Sequence, residues 1–156
     1  MFIKRMNKKG VTLIELVVVF VIIAIGAVLL VPNIGAWLPN YRLRGATRDI
    51  ASTMRVAQMK AVSTNTEYRV SFNNPVGGSY VLQRNSGGVW FNEGAPQTLP
   101  TGIVISAITF PVQGGWNNAE FNTNSTASTG SITLQNTKGT QRNITLKSAT
   151  GRVRIE

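Results

Sequence analysis

The chain has 156 residues, with 16 lysines and arginines against six acidic residues, a formal net charge of +10, and neither histidine nor cysteine. Its length suggests one domain, and the missing residue types exclude histidine triads, cysteine nucleophiles, zinc fingers and haem ligands. The six carboxylates are too scattered along the sequence to form a local metal loop. We therefore expect a protein that is not an enzyme and that has no cofactor and no metal site.

The N-terminal region combines a basic start with a long apolar run. Residues 1–10 carry four basic side chains and no acidic one, and residues 11–31 are apolar apart from Thr12 and Glu15. As a helix this run is about 31 Å long, enough to cross a bilayer. The basic residues are expected to stay on the cytoplasmic side, so the rest of the chain is expected outside.

A cleaved secretory signal is the alternative interpretation of this region. The apolar run is too long for an ordinary signal, and residues 32–35, Pro-Asn-Ile-Gly, offer no small-residue cleavage site behind it. Glu15 is the unusual residue, because a carboxylate inside an apolar helix is costly and usually has a partner. It could also lie near the membrane interface and reach water.

Residues 8–16, Lys-Lys-Gly-Val-Thr-Leu-Ile-Glu-Leu, resemble the class III signal of type IV pilins and type II secretion pseudopilins. The resemblance implies cleavage after Gly10 by a prepilin peptidase and N-methylation of Val11. It also implies that Glu15 is the assembly glutamate, paired with the N-terminal amine of a neighbouring pilin or pseudopilin subunit. Subunit stacking would supply the cation that a buried carboxylate needs.

Two prolines follow the apolar run. Pro32 comes directly after it and Pro39 seven residues later. Proline inside a helix removes a hydrogen bond and kinks or locally unwinds the helix. We expect a helix kink at Pro32 and, because Pro39 is a second breaker, a longer irregular stretch. The resemblance to pilins implies that melting at Pro32 lets subunits pack in a filament.

Residues 41–62 return to a helical pattern. Apolar side chains recur every three or four positions and predict one buried stripe that packs on the following domain. The stripe consists of Leu43, Ala46, Ile50, Met54, Ala57 and Ala61. The basic residues of this helix lie mainly off the stripe, and a solvated surface is favoured for them over a binding site. They are Arg42, Arg44, Arg48, Arg55 and Lys60.

Beyond residue 65 the period changes from helical to alternating, which predicts strands. Candidate strands lie at 67–72, 80–84, 89–91, 103–110, 120–122, 131–134, 143–147 and 152–155. Short strands at close spacing indicate an antiparallel β-sandwich or a strongly curved sheet. The segment 114–130 is rich in Asn, Ser and Thr and is interpreted as a long loop.

The helix end at residues 57–61, Ala-Gln-Met-Lys-Ala, and the chain end at 151–156 resemble the FimT/FimU/GspH group of minor pilins and pseudopilins. The resemblance implies an α+β pilin-like fold, with a long N-terminal transmembrane helix packed on a C-terminal antiparallel β-sandwich or curved sheet. The expected organisation is a leader at 1–10, a transmembrane or filament-core helix at 11–31, its kinked amphipathic continuation at 32–62 and a β-rich globular domain at 66–156. The chain is expected in a bacterial inner membrane with a periplasmic domain, and later in a pilus or pseudopilus.

The C-terminal strand carries the main functional signal. Alternation puts Arg152 and Arg154 on one side, roughly 7 Å apart, which suits successive phosphates of a nucleic-acid strand. Residues 151–154, Gly-Arg-Val-Arg, resemble the DNA-contacting motif of the FimT branch. Gly151 would let the backbone turn tightly. Three further basic residues could extend the site: Lys138, Arg142 and Lys147.

Two functions therefore remain open. The favoured one is a minor pilin-like subunit that binds double-stranded DNA during natural transformation, weakly, without base specificity and in a salt-sensitive way. The alternative is a structural minor pilin or H-type pseudopilin of a tip or assembly-priming complex, in which the arginines protect an edge strand. A membrane-anchored adhesin without a filament would make the leader and Glu15 coincidences.

Overall fold

A computed structural model describes residues 10–73 and 78–156. The described chain consists of two compact units, residues 10–37 and Leu38–Glu156. Every buried apolar side chain among the described residues lies between Leu43 and Val153. The second unit therefore contains a complete hydrophobic core, and we expect it to fold without the first.

A single helix, α1 (Leu13–Ser63), occupies the N-terminal part of the described chain. Thr12 caps it: the Glu15 backbone N–H donates to Thr12 Oγ1 at 3.3 Å. Thr-x-x-Glu is the sequence of a capping box, and an acidic residue in the first turn is favoured by the helix dipole. The helix stops before Asn65, whose left-handed φ of 50° ends the helical geometry.

Helix α1 is helical through both Pro32 and Pro39. The irregular stretch predicted around Pro39 is therefore wrong. A proline costs one backbone hydrogen bond and leaves the rest of the helix able to continue. The kink at Pro32 stays a prediction, and the Pro32 side chain lies outside the described ones.

Most described side chains of the first unit are apolar and exposed. Leu13 is 82% exposed and Val28 is 74% exposed. The predicted membrane segment 11–31 includes residues 29–31, whose side chains lie outside the described ones. Among the residues described, no helix reaches the length and apolarity that a membrane crossing requires.

Ten strands follow α1 within the described residues. They are β1 (Tyr68–Asn73), β2 (Ser79–Ser86), β3 (Val89–Asn92), β4 (Gln97–Thr98), β5 (Ile103–Ile108), β6 (Val112–Gln113), β7 (Trp116–Phe121), β8 (Gly130–Asn136), β9 (Gln141–Lys147) and β10 (Arg152–Ile155). The first sheet has the order β3-β2-β1-β7-β6, with β4 beside β2, and the second has the order β10-β9-β8-β5. All of these pairs are antiparallel.

The core lies where the C-terminal half of α1 meets the two sheets. All six residues of the predicted helical stripe are buried, and Thr47 and Ala51 extend it. Thr47 satisfies its hydroxyl by donating to the Leu43 carbonyl oxygen at 2.7 Å. Alanines on the stripe leave room for larger side chains from the strands, among them Phe72 and Ile144. This is the predicted α+β arrangement of a helix on antiparallel sheets.

The strands differ from the sequence prediction between residues 114 and 130. The long loop predicted at 114–130 is wrong, because β7 (Trp116–Phe121) lies inside it and pairs with the central strand β1. The strand predicted at 120–122 covers only the end of β7. Polar residues concealed this strand. Asn118 is completely buried, and its side-chain amide donates to the Trp116 carbonyl oxygen at 2.7 Å. The same amide nitrogen also lies 3.3 Å from the Gln113 carbonyl oxygen, whereas Asn118 Oδ1 accepts no hydrogen bond among the described residues. Hydrogen bonds from the amide nitrogen to nearby carbonyl groups let this polar residue occupy a core strand.

The predicted strand 103–110 is also too long, since β5 ends at Ile108. Phe110 leaves the ladder and is buried, with its ring stacked on Phe72 at a centroid distance of 6.0 Å. Its aromatic side chain therefore packs in the hydrophobic core, although its backbone is outside the strand.

Two methionines on α1 test this packing. Met54 is fully buried, whereas Met59 is 62% exposed. We expect Met54→Ala to lower the free energy of unfolding of the second unit by about 2–5 kcal/mol, because it leaves a cavity. Met59→Ala should change it by less than about 0.5 kcal/mol. Urea denaturation followed by circular dichroism measures both, and equal losses would contradict the assigned helix face.

Candidate anion-binding site

Strand β10 forms one edge of the second sheet and pairs with β9. Its alternation is complete: Arg152 and Arg154 are exposed, Val153 is buried and Ile155 is partly buried. The apolar side chains hold the strand against the core and leave both guanidinium groups facing solvent. Successive side chains on this face are about 7 Å apart.

Lys147 joins the two arginines. It is the direct cross-strand partner of Arg152, and Thr145 is the partner of Arg154. Partners across an antiparallel pair share a face, so Lys147, Arg152 and Arg154 form one surface, here called the terminal basic face. Like charges placed directly opposite each other destabilise a sheet. A bound anion would relieve that repulsion.

The terminal basic face borders a groove that also involves the helix. Gln58 and Thr150 complete its lining. The Gln58 side-chain amide donates to the Thr150 carbonyl oxygen at 3.1 Å. This hydrogen bond ties the turn before β10 to α1 and places an uncharged donor beside the three cations. Sequence reasoning missed Gln58, because its partner is 92 residues away in the chain.

Gly151 makes this close approach possible. It is buried and has a left-handed φ of 58°. Residues other than glycine adopt this backbone conformation at a cost in free energy. A Cβ at this position would lie 2.5 Å from Gln58 Nε2 and 2.7 Å from the Ser125 carbonyl oxygen. Only glycine therefore fits between the helix, the loop at Ser125 and the first residue of β10.

The terminal basic face has little acidic compensation. Among the described residues, its one ion pair joins Arg154 Nε to Glu156 Oε1 at 3.6 Å, and both side chains are more than half exposed. An exposed pair of this kind contributes little. The face therefore remains available to an anion.

Two of the cations next to the first sheet form ion pairs. Lys60 Nζ lies 2.7 Å from Glu93 Oε1, and this hydrogen bond raises the pKa of Lys60. Arg69 Nη1 lies 3.8 Å from Glu120 Oε1. Burial raises the pKa of Glu120 and lowers the pKa of Arg69. Two cations beside the first sheet thus have carboxylate partners, whereas Arg84 on β2 is exposed and, among the described residues, has no ion pair.

Two of the residues predicted to extend the site lie elsewhere. Arg142 is the cross-strand partner of Leu134 and, by alternation along β9, shares a face with the buried Ile144 and Leu146. Lys138 lies in the turn between β8 and β9, at the end of β9 opposite to Lys147. The structure therefore groups Lys147 with the arginines, and it separates Arg142 and Lys138 from them.

The predicted processing and assembly residues belong to the other unit. Gly10 and Val11 are exposed and precede α1, and Glu15 is exposed in its first turn. Within the described residues, no group of three or more acidic side chains could hold a metal ion. A second groove lies between α1 and the first sheet, and it is lined by acidic and neutral residues, including Asp49, Tyr80 and Glu93.

Comparisons with known proteins place these features in a family. The model of the prokaryotic N-terminal methylation motif matches residues 5–31. The model of the type II transport protein GspH matches residues 46–155. Both matches confirm the family resemblance predicted from the two ends of the chain. No curated protein matches by sequence.

Solved structures share the fold. The minor pseudopilin EpsH of the type II secretion system of Vibrio cholerae superposes with a TM-score of 0.61 at 9% identity, over 74% of this chain and 96% of that one. The type IV minor pilin FimU of Pseudomonas aeruginosa gives a TM-score of 0.57 at 14% identity, over 75% of this chain and 90% of that one. These values establish a pilin-like fold.

The close approach at Gly151 can be tested against a glycine of similar backbone geometry. Gly87 has a φ of 63°, and a Cβ there would meet nothing within 4 Å. Gly87→Ala should therefore cost only the left-handed strain, about 1–2 kcal/mol. We expect Gly151→Ala to cost more, because the Ser125 carbonyl oxygen is backbone and cannot rotate away. Thermal unfolding measures both, and equal melting temperatures would contradict the proposed contact.

Proposed function

The chain belongs to the GspH family of type II transport proteins, and we propose that this minor pilin or pseudopilin binds the phosphate backbone of double-stranded DNA through its last strand. One observation carries the proposal: Lys147, Arg152 and Arg154 share an exposed face, line one groove and have Glu156 as their acidic neighbour. Phosphates are the natural ligands of such a surface, because guanidinium groups donate in a planar fork that matches phosphate oxygens.

The proposed binding is independent of base sequence. The terminal basic face lies on β9 and β10, and within the described residues no helix projects from it as a reader of the major groove would. Phosphate contacts position a protein on DNA without reading bases. Affinity should therefore fall with salt, with a logarithmic slope of about −0.9 for each phosphate contacted. The proposed role is capture of extracellular DNA during its uptake.

A second candidate is a structural subunit of a tip or assembly-priming complex that does not bind DNA. The position of β10 favours it, because cationic side chains protect an exposed sheet edge from unwanted pairing. In that case a neighbouring subunit would cover the terminal basic face. DNA binding by the isolated second unit separates the two candidates.

We also propose the route by which the subunit reaches its filament. A prepilin peptidase cleaves after Gly10, Val11 becomes N-methylated, and residues 11–31 insert in the inner membrane with the globular unit in the periplasm. Four of the 16 basic residues lie in the leader, so 12 remain against six acidic ones, a side-chain charge of +6. The exposed apolar side chains of the first unit, such as Leu13 and Ile22, support burial by lipid and then by neighbouring subunits.

The DNA proposal predicts the effect of the double substitution Arg152→Gln/Arg154→Gln in the unit Leu38–Glu156. Fluorescence anisotropy with a labelled duplex of about 30 base pairs should show affinity at least roughly tenfold weaker than that of the wild type, and a salt slope smaller by about 1.8. Both changes are expected because two phosphate contacts are lost.

The matched control for that measurement is Lys138→Gln/Arg142→Gln. It removes the same charge from β9 and its preceding turn, away from the terminal basic face. It should retain most of the affinity. Absence of binding by the wild type would favour the structural candidate, and equal weakening in both variants would contradict the assignment of binding to the terminal basic face.

The assembly proposal concerns the charge of Glu15. Glu15→Gln should be cleaved normally but should fail to enter the filament, because the neighbouring amine loses its carboxylate partner. Thr12→Ala is the control, since it removes the N-cap contact to the Glu15 backbone and keeps the charge. Fractionation of cells with immunoblotting follows both steps. Normal incorporation of Glu15→Gln would refute the assembly role.

A further inference from the structure

We propose that the DNA-binding surface continues from β10 onto α1, where Arg48 and Arg55 bind further phosphates of the same duplex. This proposal rests on the proposed function of β10 and names a second element of the same site. The two arginines are here called the basic flank of α1.

Two hydrogen bonds show that α1 lies lengthwise along the second sheet. At one end, the Gln58 amide contacts the Thr150 carbonyl oxygen at 3.1 Å. At the other end, the Asn136 side-chain amide donates to Asn40 Oδ1 at 2.8 Å. Residues 40 and 58 are about 27 Å apart along a helix. The helix therefore spans the second sheet from the turn before β10 to the end of β8.

Strand β10 and the basic flank run in the same direction from that turn. Beginning beside Gln58, β10 proceeds to Glu156, whose backbone carbonyl oxygen accepts a hydrogen bond from the Asn143 N–H at 3.1 Å. It thus moves toward the end of the sheet that contacts Asn40. Arg55 and Arg48 follow Gln58 in the same direction, about 4.5 Å and 15 Å along the helix axis.

The basic flank also lies on the side of α1 nearer to Gln58. Arg48 and Arg55 are seven residues apart, so they lie within about 20° of each other around the axis, and Gln58 is about 60° from Arg55. Lys60 lies on the opposite side, where it contacts Glu93 beside the first sheet. The two arginines therefore lie on the outward side of the helix, nearer to Gln58 and β10 than Lys60 does.

Both guanidinium groups are available to a ligand. Arg48 and Arg55 are exposed. Within residues 10–73 and 78–156, neither is joined to an acidic side chain by an ion pair. Other arginines are held by the protein: Arg42 donates to the Thr101 carbonyl oxygen at 3.1 Å, and Arg69 to Gln83 at 2.7 Å. Within the described part of the chain, the basic flank has no internal hydrogen bond of this kind.

The combined surface has the charge and length of a duplex contact. Lys147, Arg152, Arg154, Arg55 and Arg48 extend over about 15 Å of helix axis, and duplex DNA carries a phosphate every 1.7 Å or so. Five phosphate contacts would give a salt slope of about −4.5, against about −2.7 for the terminal basic face alone. This difference makes the contribution of the helix measurable.

The test uses Arg48→Gln/Arg55→Gln in the unit Leu38–Glu156, with a labelled duplex titrated between about 50 and 200 mM salt. We expect the salt slope to fall by about 1.8 from that of the wild type. Lys60→Gln/Arg84→Gln is the matched control, because it removes the same charge from residues associated with the first sheet. Its slope should stay close to that of the wild type.

The conservative variant Arg48→Lys/Arg55→Lys keeps the charge and should keep the slope, which separates electrostatic contact from an effect on folding. A slope for Arg48→Gln/Arg55→Gln equal to that of the control would overturn the helix extension, and would leave the flank to solvent or a neighbouring subunit. In that event Arg152→Gln/Arg154→Gln would still weaken binding. Absence of wild-type binding would instead overturn the proposed function and this extension together.

Discussion

The close contact between Gly151 and helix α1 fixes the arrangement on which the candidate site depends. The backbone at residue 151 is held between the Gln58 side chain and the Ser125 carbonyl oxygen, with no room for a Cβ. That contact sets where β10 begins, and the pairing of Arg152 with Lys147 follows from it. Burial of Val153 then determines which face of the strand receives the arginines. A single glycine thus couples the helix, the last strand and the position of three cations.

The distribution of ion pairs supports this edge as the candidate site. Lys60 and Arg69 have carboxylate partners beside the first sheet. The edge formed by β10 has three cations and, among the described residues, one exposed partner in Glu156. Unpaired positive charge at a groove raises the local concentration of anions and becomes less effective as salt increases. The electrostatic asymmetry therefore favours a polyanionic ligand on one side of the domain.

Sequence patterns predicted the local features of this domain and missed those that depend on tertiary contacts. The apolar stripe from Leu43 to Ala61 was predictable because helical periodicity records which face is buried. The first part of strand β7 was not, because Asn118 is polar yet buried, with its amide nitrogen hydrogen-bonded to nearby carbonyl groups.

The residues of the candidate site were likewise predicted only in part from the sequence. Alternation along residues 152–155 was sufficient to pair Arg152 with Arg154 on one face. It could not reveal Gln58, which reaches the site from another element of the fold. Arg142 is close to Lys147 in the sequence, but alternation along β9 places the two side chains on opposite faces of the strand.

The central claim, that β10 and the adjacent flank of α1 form an anion-binding surface, is tested most directly by nuclear magnetic resonance. Isotopically labelled Leu38–Glu156 would be titrated with a short DNA duplex while the backbone amide and arginine side-chain signals are followed. The account predicts that the signals of Lys147, Arg152 and Arg154 shift in a saturable way, and that those of the first sheet stay in place. Unchanged signals along β10, or the largest shifts around Asp49 and Tyr80 in the opposite groove, would contradict it.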